Sequence, residues 1–183
     1  MRLNAGGFAQ LTSPPAYLSV SAALAAPPNM PFGDAGWSIA FWFRCQSPIT
    51  AGAVISLGDF TRRFRQLTIG VLTSPSNTLS AFFGASYALT YNAGGKNIPL
   101  TTWHHLAVVH SASYPPSLEM WLNATLVATM NLPTALDLQA SSFRVGSVPS
   151  NTYQGFGAFN GWLDDLLIVS APFTAAQIAL AMR

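Results

Sequence analysis

The stretch TTWHHLAVVHSASYPPSLEMWLNATLVATMNLP, residues 101–133, decides the fold. Its side chains alternate in type with a period of two, which is typical of strands in an antiparallel sheet. The alternation predicts three strands, over residues 103–110, 118–122 and 126–130. A loop broken by Tyr114-Pro115-Pro116 separates the first two strands, and a tight turn at residues 123–125 joins the last two.

The first of these strands is apolar on both faces. Leu106 and Val108 fall on one face, while His105, Ala107 and Val109 fall on the other. One face of a sheet packs on the core, so a second apolar face also needs a cover. This pattern favours a neighbouring subunit in an assembly, with loops of the same chain as the alternative.

The rest of the chain continues the pattern of short strands and frequent turns. One or two strands are predicted within residues 8–20, and further strands over residues 37–45, 53–57, 65–72, 78–83, 88–92, 143–146 and 160–169. Thr174 followed by Gln177 forms a capping box, which predicts a short helix to about residue 182. We therefore predict an all-β, antiparallel two-sheet β-sandwich with a C-terminal helix, as a single domain over residues 1–183.

Composition restricts the classes of partner. Only 8% of the residues are charged and the formal net charge is +2, against about 25% charged in an ordinary soluble domain. The basic residues form no run, so we expect no nucleic-acid partner. The low charge instead favours burial of part of the surface in a homo-oligomer or a larger assembly.

The sequence shows no convincing secretory signal and no apolar run long enough to span a membrane. We expect the protein to be made in the cytoplasm and incorporated into a virion or another large assembly. Cys45 is the single cysteine, so an internal disulfide and a cysteine-based metal site are excluded, and we predict a buried free thiol.

Side chains for catalysis are few. Hydrolysis of a glycoside needs two carboxyl groups facing one cleft, and no two acidic residues are spaced two apart on a strand. Asp164 and Asp165 are adjacent, so they would point to opposite faces of a regular strand. His104, His105 and His110 have no third ligand at a suitable spacing and are interpreted as structural.

Eight residues are candidate ligand contacts. Arg62, Arg63 and Arg65 form the one basic cluster, which would bind an acidic sugar, a phosphate or an acidic protein surface. The alternative is a solvated loop whose long side chains cover apolar neighbours. Rings and amides suited to sugars lie in or beside loops, and turns use the same residue types. These residues are Tyr87, Tyr91, Asn92, Asn151 and Tyr153.

Four motifs occur in one order along the chain. They are WSIAFWF from Trp37, WHHLAVV from Trp103, LEMWLN from Leu118 and FNGWLDDLLIV from Phe159, with FTAAQI following from Phe173. In this order they resemble the laminin G-like, concanavalin A-like lectin/glucanase group of jelly rolls. The resemblance implies a lectin-like sandwich over nearly the whole chain.

The chain departs from that group in two places. The usual Asn-Gly turn of the group is Asn123-Ala124 here, so we expect a turn of another type, because alanine is disfavoured at positive φ. Where calcium-binding members commonly have an acidic residue, this chain has Ser13-Pro14-Pro15-Ala16 before Tyr17. We therefore predict no cofactor, with calcium left as the open alternative.

Asp164 matches a recurrent aspartate of the group. It is interpreted either as a metal or ligand contact, or as a structural group that pairs with Arg144 or caps backbone amides.

The function that follows is a non-catalytic binding or adhesion module. We expect it to be a surface component of a larger assembly, such as a virion decoration, fibre or tail protein, with glycan recognition as an associated role. A free-standing carbohydrate-binding lectin-like protein is the alternative, and a glycoside hydrolase is the remote one.

Overall fold

The computed structural model describes residues 2–3, 9–11, 18–20, 36–46, 52–58, 66–72, 78–83, 87–91, 101–113, 115–132, 143–146 and 157–183. The strands within these ranges are β1 (Arg2–Leu3), β2 (Ala9–Leu11), β3 (Leu18–Val20), β4 (Trp37–Cys45), β5 (Gly52–Gly58), β6 (Gln66–Leu72), β7 (Thr78–Phe83), β8 (Tyr87–Tyr91), β9 (His104–Ser111), β10 (Ser117–Leu122), β11 (Thr125–Asn131), β12 (Phe143–Val145), β13 (Gly157–Ala158) and β14 (Gly161–Val169). The helix is α1 (Ala175–Ala181).

The strands form two sheets. Sheet A has the order β1-β14-β4-β9-β10-β11, and β2 also pairs with β14. Sheet B has the order β3-β12-β5-β6-β7-β8, and β13 pairs with β5. Every pair is antiparallel except β13 with β5. The predicted antiparallel β-sandwich with a short C-terminal helix is confirmed, and the three deciding strands are β9, β10 and β11. The sequence pattern did not predict β1 or β13.

The core lies between the two sheets. Strand β4 contributes the largest side chains, because Trp37, Ile39, Phe41 and Phe43 alternate onto its inner face and each is fully buried. Sheet B faces them with an aliphatic surface that includes Ile55, Leu67 and Ile69, also fully buried. Burial of this apolar surface supplies the main driving force for the sandwich.

Helix α1 covers part of the outer face of sheet A. Its Ile178 is fully buried against Ala40 of β4 and against Ala107 and Val109 of β9. The predicted capping box is present, since Gln177 N donates to Thr174 Oγ1 and Thr174 N donates to Gln177 Oε1. The second apolar face of β9 is therefore covered within the chain and requires no neighbouring subunit.

A serine holds the segment before the helix on the sheet. Ser38 Oγ donates to Ala171 O at 2.7 Å and accepts from Phe173 N at the same distance. The serine is fully buried, so both bonds are shielded from water. These two bonds fix the point at which the chain leaves β14 and turns back towards α1. Among the described residues, no helix is long and apolar enough to cross a membrane.

The turn between β10 and β11 keeps left-handed geometry. Asn123 and Ala124 have φ values of 49° and 59°, the signature of the two-residue turn that favours Asn-Gly. The expectation of another turn type is therefore wrong. Asn123 holds the turn, because its Oδ1 accepts from His105 N at 2.9 Å and its Nδ2 lies 3.1 Å from His104 Nδ1.

Replacing Ala124 with glycine is expected to stabilise the protein by roughly 0.5–1 kcal/mol, since glycine removes the left-handed strain but makes the unfolded chain more flexible. Urea denaturation should show a higher midpoint with an unchanged slope. Ala128→Gly is the matched control, because Ala128 lies within β11 and glycine weakens an extended strand. An equal or lower midpoint for Ala124→Gly would contradict the expectation.

Candidate functional site

A polar and aromatic patch lies on the outer face of sheet A, where β14 pairs with β4. We call its residues the outer patch: Trp42, Arg44, Trp162, Asp164 and Asp165. Their side chains are all half-buried. The register brings them together, because Trp162 pairs with Arg44 and Asp164 pairs with Trp42.

Arg44 and Trp162 form the aromatic and cationic half of the outer patch. The guanidinium carbon of Arg44 lies 4.6 Å from the centroid of the Trp162 ring, within the range of a cation–π contact. Arg44 Nε is buried and has no hydrogen-bond partner. A buried donor without a partner is costly, and this Nε is not accessible to a ligand on the surface.

A β-bulge builds the acidic half of the outer patch. The pairing of β14 with β4 shifts register between Asp164 and Leu167, and Asp165 has a φ of 48°. Leu163 and Leu166 on either side both enter the core, so both aspartates stay on the outer face. The expected opposite orientation of the two aspartates is wrong, because β14 is not regular at this point.

The carboxylate of Asp164 has a structural role at the bulge. Its Oδ1 accepts a hydrogen bond from Asp165 N at 2.8 Å. This contact agrees with the interpretation of Asp164 as a cap on a backbone amide. It also holds Asp165 in its left-handed conformation. Non-glycine residues in such conformations are concentrated at functional sites.

His105 lies beside the outer patch and below its surface. Its ring meets the Trp42 ring edge-on at 5.4 Å between centroids, and only 1% of the residue is exposed. Burial lowers the pKa of His105 to about 4, against the opposing effect of the Asp165 charge. The imidazole is therefore neutral at pH 7 and contributes packing, not charge.

The other two histidines face the core. His104 stacks near Phe43, with 5.8 Å between ring centroids, and its Nε2 lies 3.1 Å from Thr102 Oγ1. His110 stacks on Trp37 at 5.4 Å. Both positions agree with the structural interpretation of the histidines. No group of three His, Cys, Asp or Glu side chains able to hold a metal ion occurs in the described part of the chain.

The eight residues predicted as ligand contacts are only partly within the described ranges. Six of them lie outside: Arg62, Arg63, Arg65, Asn92, Asn151 and Tyr153. Tyr87 and Tyr91 begin and end β8. Tyr87 pairs with Phe83 and Tyr91 with Leu79, at opposite ends of the β7–β8 pair. The role of these eight residues as ligand contacts stays a prediction.

The outer patch was not singled out from the sequence. In the sequence, Trp42 and Arg44 alternate with Phe41 and Phe43, and a tryptophan two residues from an arginine on the same strand face was the available signal. The partners of these residues come from β14, more than a hundred positions later in the chain. Sequence spacing does not give the register between such distant strands.

A family model described as the concanavalin A-like lectin/glucanases superfamily, of the laminin G type, matches residues 18–179. The chain is a member of this superfamily. The resemblance inferred from the four motifs is therefore confirmed. A search of curated protein sequences found no match.

Several solved structures that superpose on this chain come from sialidases. The NanB sialidase of Streptococcus pneumoniae, as its K499G mutant, superposes with a TM-score of 0.74 at 14% identity, covering 98% of this chain and 27% of that one. The chain thus spans about a quarter of that sialidase. The CBM40 of Ruminococcus gnavus IT-sialidase, bound to α2,3-sialyllactose, gives 0.69 at 12% identity, covering 99% and 98%.

A heptameric SAP-like pentraxin from Limulus polyphemus gives a TM-score of 0.58 at 15% identity, covering 79% of this chain and 68% of that one. At these identities the similarities establish the shared fold and nothing further.

Proposed function

We propose that the chain is a glycan-binding module and that the outer patch is its contact surface. The observation that carries the proposal is the bulge in β14, which keeps two carboxylates on the face that holds Arg44, Trp42 and Trp162. Sugars pack their CH faces on aromatic rings and hydrogen-bond through their hydroxyls to charged groups. Both kinds of contact are available here on two paired strands, which form a rigid platform.

The guanidinium of Arg44 selects the kind of sugar. The guanidinium of Arg44, a half-buried residue, matches a carboxylate, with which arginine forms short, charge-assisted hydrogen bonds. An acidic sugar is therefore expected to bind more tightly than its neutral counterpart. The superposition of the whole chain on a CBM40 bound to sialyllactose supports this choice of ligand class.

The acidic residues favour binding over hydrolysis. Glycosidases place two carboxyl groups on either side of the scissile bond, roughly 5–10 Å apart. Asp164 and Asp165 are adjacent at one bulge, and Asp164 is engaged by a backbone amide. They therefore approach a bound sugar from one side, as in a non-catalytic site.

The test is calorimetric titration with α2,3-sialyllactose and with lactose. Trp162→Ala is expected to weaken binding of both sugars by about tenfold, because a stacked ring contributes about 1 kcal/mol or more. Arg44→Gln should weaken binding of sialyllactose and leave lactose unchanged. Leu180→Ala, at an exposed position on α1, is the control that should bind as the parent protein does.

Two results would change the proposal. Loss of binding in Arg62→Ala and Tyr91→Ala, with unchanged binding in the outer-patch variants, would move the site to the loops predicted from the sequence. Absence of binding to every sugar on a broad glycan array, with and without calcium, would contradict glycan recognition altogether.

We also propose, as a second role, that the chain is a surface component of a larger assembly such as a virion decoration, fibre or tail protein. The support is the low charge, 8% of residues. The apolar outer face of β9 gives no support, because α1 covers it. The mass of the native particle containing the chain, measured on the preparation used for the titration, separates this role from that of a free lectin-like protein.

A further inference from the structure

We propose that a second sugar-binding site, selective for neutral hexopyranosides, lies on β10 and β11. Trp121 pairs with Ala107, whose side chain packs under α1 on the outer face of sheet A. Side chains two apart on a strand share a face, and residues paired across two strands also share one. The residues placed on the outer face in this way, which we call the β10–β11 strip, are Glu119, Trp121, Leu126 and Thr129.

A hydrogen bond between two side chains organises the strip. Trp121 Nε1 donates to Glu119 Oε2 at 2.8 Å. Trp121 also packs against the cluster that contains Ala107, Val109 and Ile178, which supports the ring on one side. Both Trp121 and Glu119 are half-buried, so each keeps part of its surface open to a ligand. The ring and the carboxylate are therefore held in place before a ligand binds, which lowers the entropic cost of binding.

The strip offers the two kinds of contact that a sugar ring makes. The indole of Trp121 provides an aromatic surface for the CH groups of the sugar. A carboxylate has about four acceptor positions and the indole N–H occupies one, so Glu119 can also accept from two neighbouring hydroxyls. Thr129 is exposed and pairs with Glu119, which places its hydroxyl beside the carboxylate. Leu126 pairs with Trp121 and is 45% exposed, so it extends the apolar surface.

The charge of the strip selects against acidic sugars. Strands β10 and β11 contain one acidic residue, Glu119, and no basic residue. The carboxylate of an acidic sugar would come close to that of Glu119, and like charges at short range repel. Arg44 gives the outer patch the opposite preference. The two surfaces are therefore expected to bind different sugars.

The strip and the outer patch are separate sites on one face of the sheet. Trp121 pairs with Ala107, which pairs in turn with Ala40 of β4, so two strand spacings, about 10 Å, separate β10 from β4. Ile178 of α1 packs on Ala40 and Ala107, between the two surfaces. The strip has one tryptophan where the outer patch has two, so we expect it to bind more weakly and to fill at higher sugar concentrations.

The test follows the Nε1–H resonance of Trp121 in isotope-labelled protein. Trp121→Phe identifies this signal among those of the five tryptophans. The probes are methyl β-glucopyranoside and methyl β-glucuronide, which differ only in the replacement of the hydroxymethyl group by a carboxylate. The glucoside should shift the Trp121 signal in a saturable way, and the glucuronide should need about tenfold higher concentration for the same shift.

Two variants test the residues assigned to the strip. Glu119→Gln keeps the size of the side chain and removes its charge, so it should weaken glucoside binding by about tenfold and bring the two probes to similar affinity. Thr129→Ala should weaken glucoside binding by roughly threefold. Thr125→Ala is the matched control and should bind as the parent protein does, because Thr125 is also exposed on β11 but pairs with Leu122, which packs against the core.

A Trp121 signal that stays in place at about 100 mM glucoside, or that responds equally to both probes, would overturn the proposal. Retention of the preference for the neutral probe in Glu119→Gln would do the same. The Trp162 signal appears in the same spectra and reports on the outer patch. Its response to sialyllactose is independent of the Trp121 response to the glucoside, so failure of the strip is distinguishable from failure of the proposed function.

Discussion

Gly161→Ala is expected to destabilise the protein by about 3 kcal/mol or more, because the added methyl group has no space. A Cβ at this position would approach the carbonyl oxygen of Arg44 more closely than any Cβ atom does, and it would lie 2.7 and 2.9 Å from two atoms of the Phe159 ring. The phenyl ring can rotate, but the carbonyl belongs to β4. Relief therefore requires β14 to separate from β4 at the edge of the outer patch.

Urea denaturation of Gly161→Ala should show a much lower midpoint than that of the parent protein. Ser170→Ala, at the exposed end of the same segment, is the control and should stay within about 0.5 kcal/mol. The double variant Phe159→Ala/Gly161→Ala removes the ring contacts but keeps the backbone clash. It should therefore remain far below the single variant Phe159→Ala. A Gly161→Ala midpoint close to that of the parent would show that β14 adapts without separating.

Acidification from pH 6.5 to pH 4 is expected to remove about 3 kcal/mol of stability for each of two buried histidines. Burial lowers the pKa of His105 and of His110 to about 4, from an ordinary value of 6.5. Below pH 6.5 the two histidines become protonated in the unfolded chain, whereas in the folded chain they stay neutral until about pH 4. The contribution of the two histidines to the free energy of unfolding is therefore at its full value above pH 6.5. It decreases between pH 6.5 and pH 4, and it changes no further below about pH 4.

The measurement is the denaturation midpoint at half-unit steps from pH 8 to pH 4. His110→Gln should remove about half of the decline, and His105→Gln/His110→Gln should remove most of it, even though both variants start from a lower stability at pH 8. The matched comparison is the slope of stability against pH, not its absolute value. A double variant with the slope of the parent protein would assign the acid sensitivity to other groups.

The strands could be predicted from the sequence because their signal is local. Alternation at β9 divided its side chains between two faces, and Thr174 with Gln177 identified the start of α1. Features that depend on distant parts of the chain could not be predicted in this way. Helix α1 covers β9 through Ile178, which is about seventy positions further along the chain.

The outer patch was unpredictable for a second reason, which is local irregularity. A period of two assigns Asp165 to the core face, and only the bulge and its left-handed backbone return the side chain to the outside. At Ala124 the turn type was mispredicted because a local residue preference was applied where contacts with another strand decide the backbone conformation. The rule that alanine avoids positive φ was applied, but two hydrogen bonds between Asn123 and His105 hold the turn in that conformation: Asn123 Oδ1 accepts from His105 N, and Asn123 N donates to His105 O.

The position of β14 in sheet A has a consequence for the way the chain folds. This strand lies near the end of the sequence, yet it pairs with β1, β2 and β4, which all lie within the first quarter. During synthesis, the edge of β4 that pairs with β14 stays without this partner until residues 161–169 have left the ribosome. Such a topology has high contact order and folds on a timescale of milliseconds to seconds. The nascent chain is therefore most exposed to aggregation in the interval before residues 161–169 emerge.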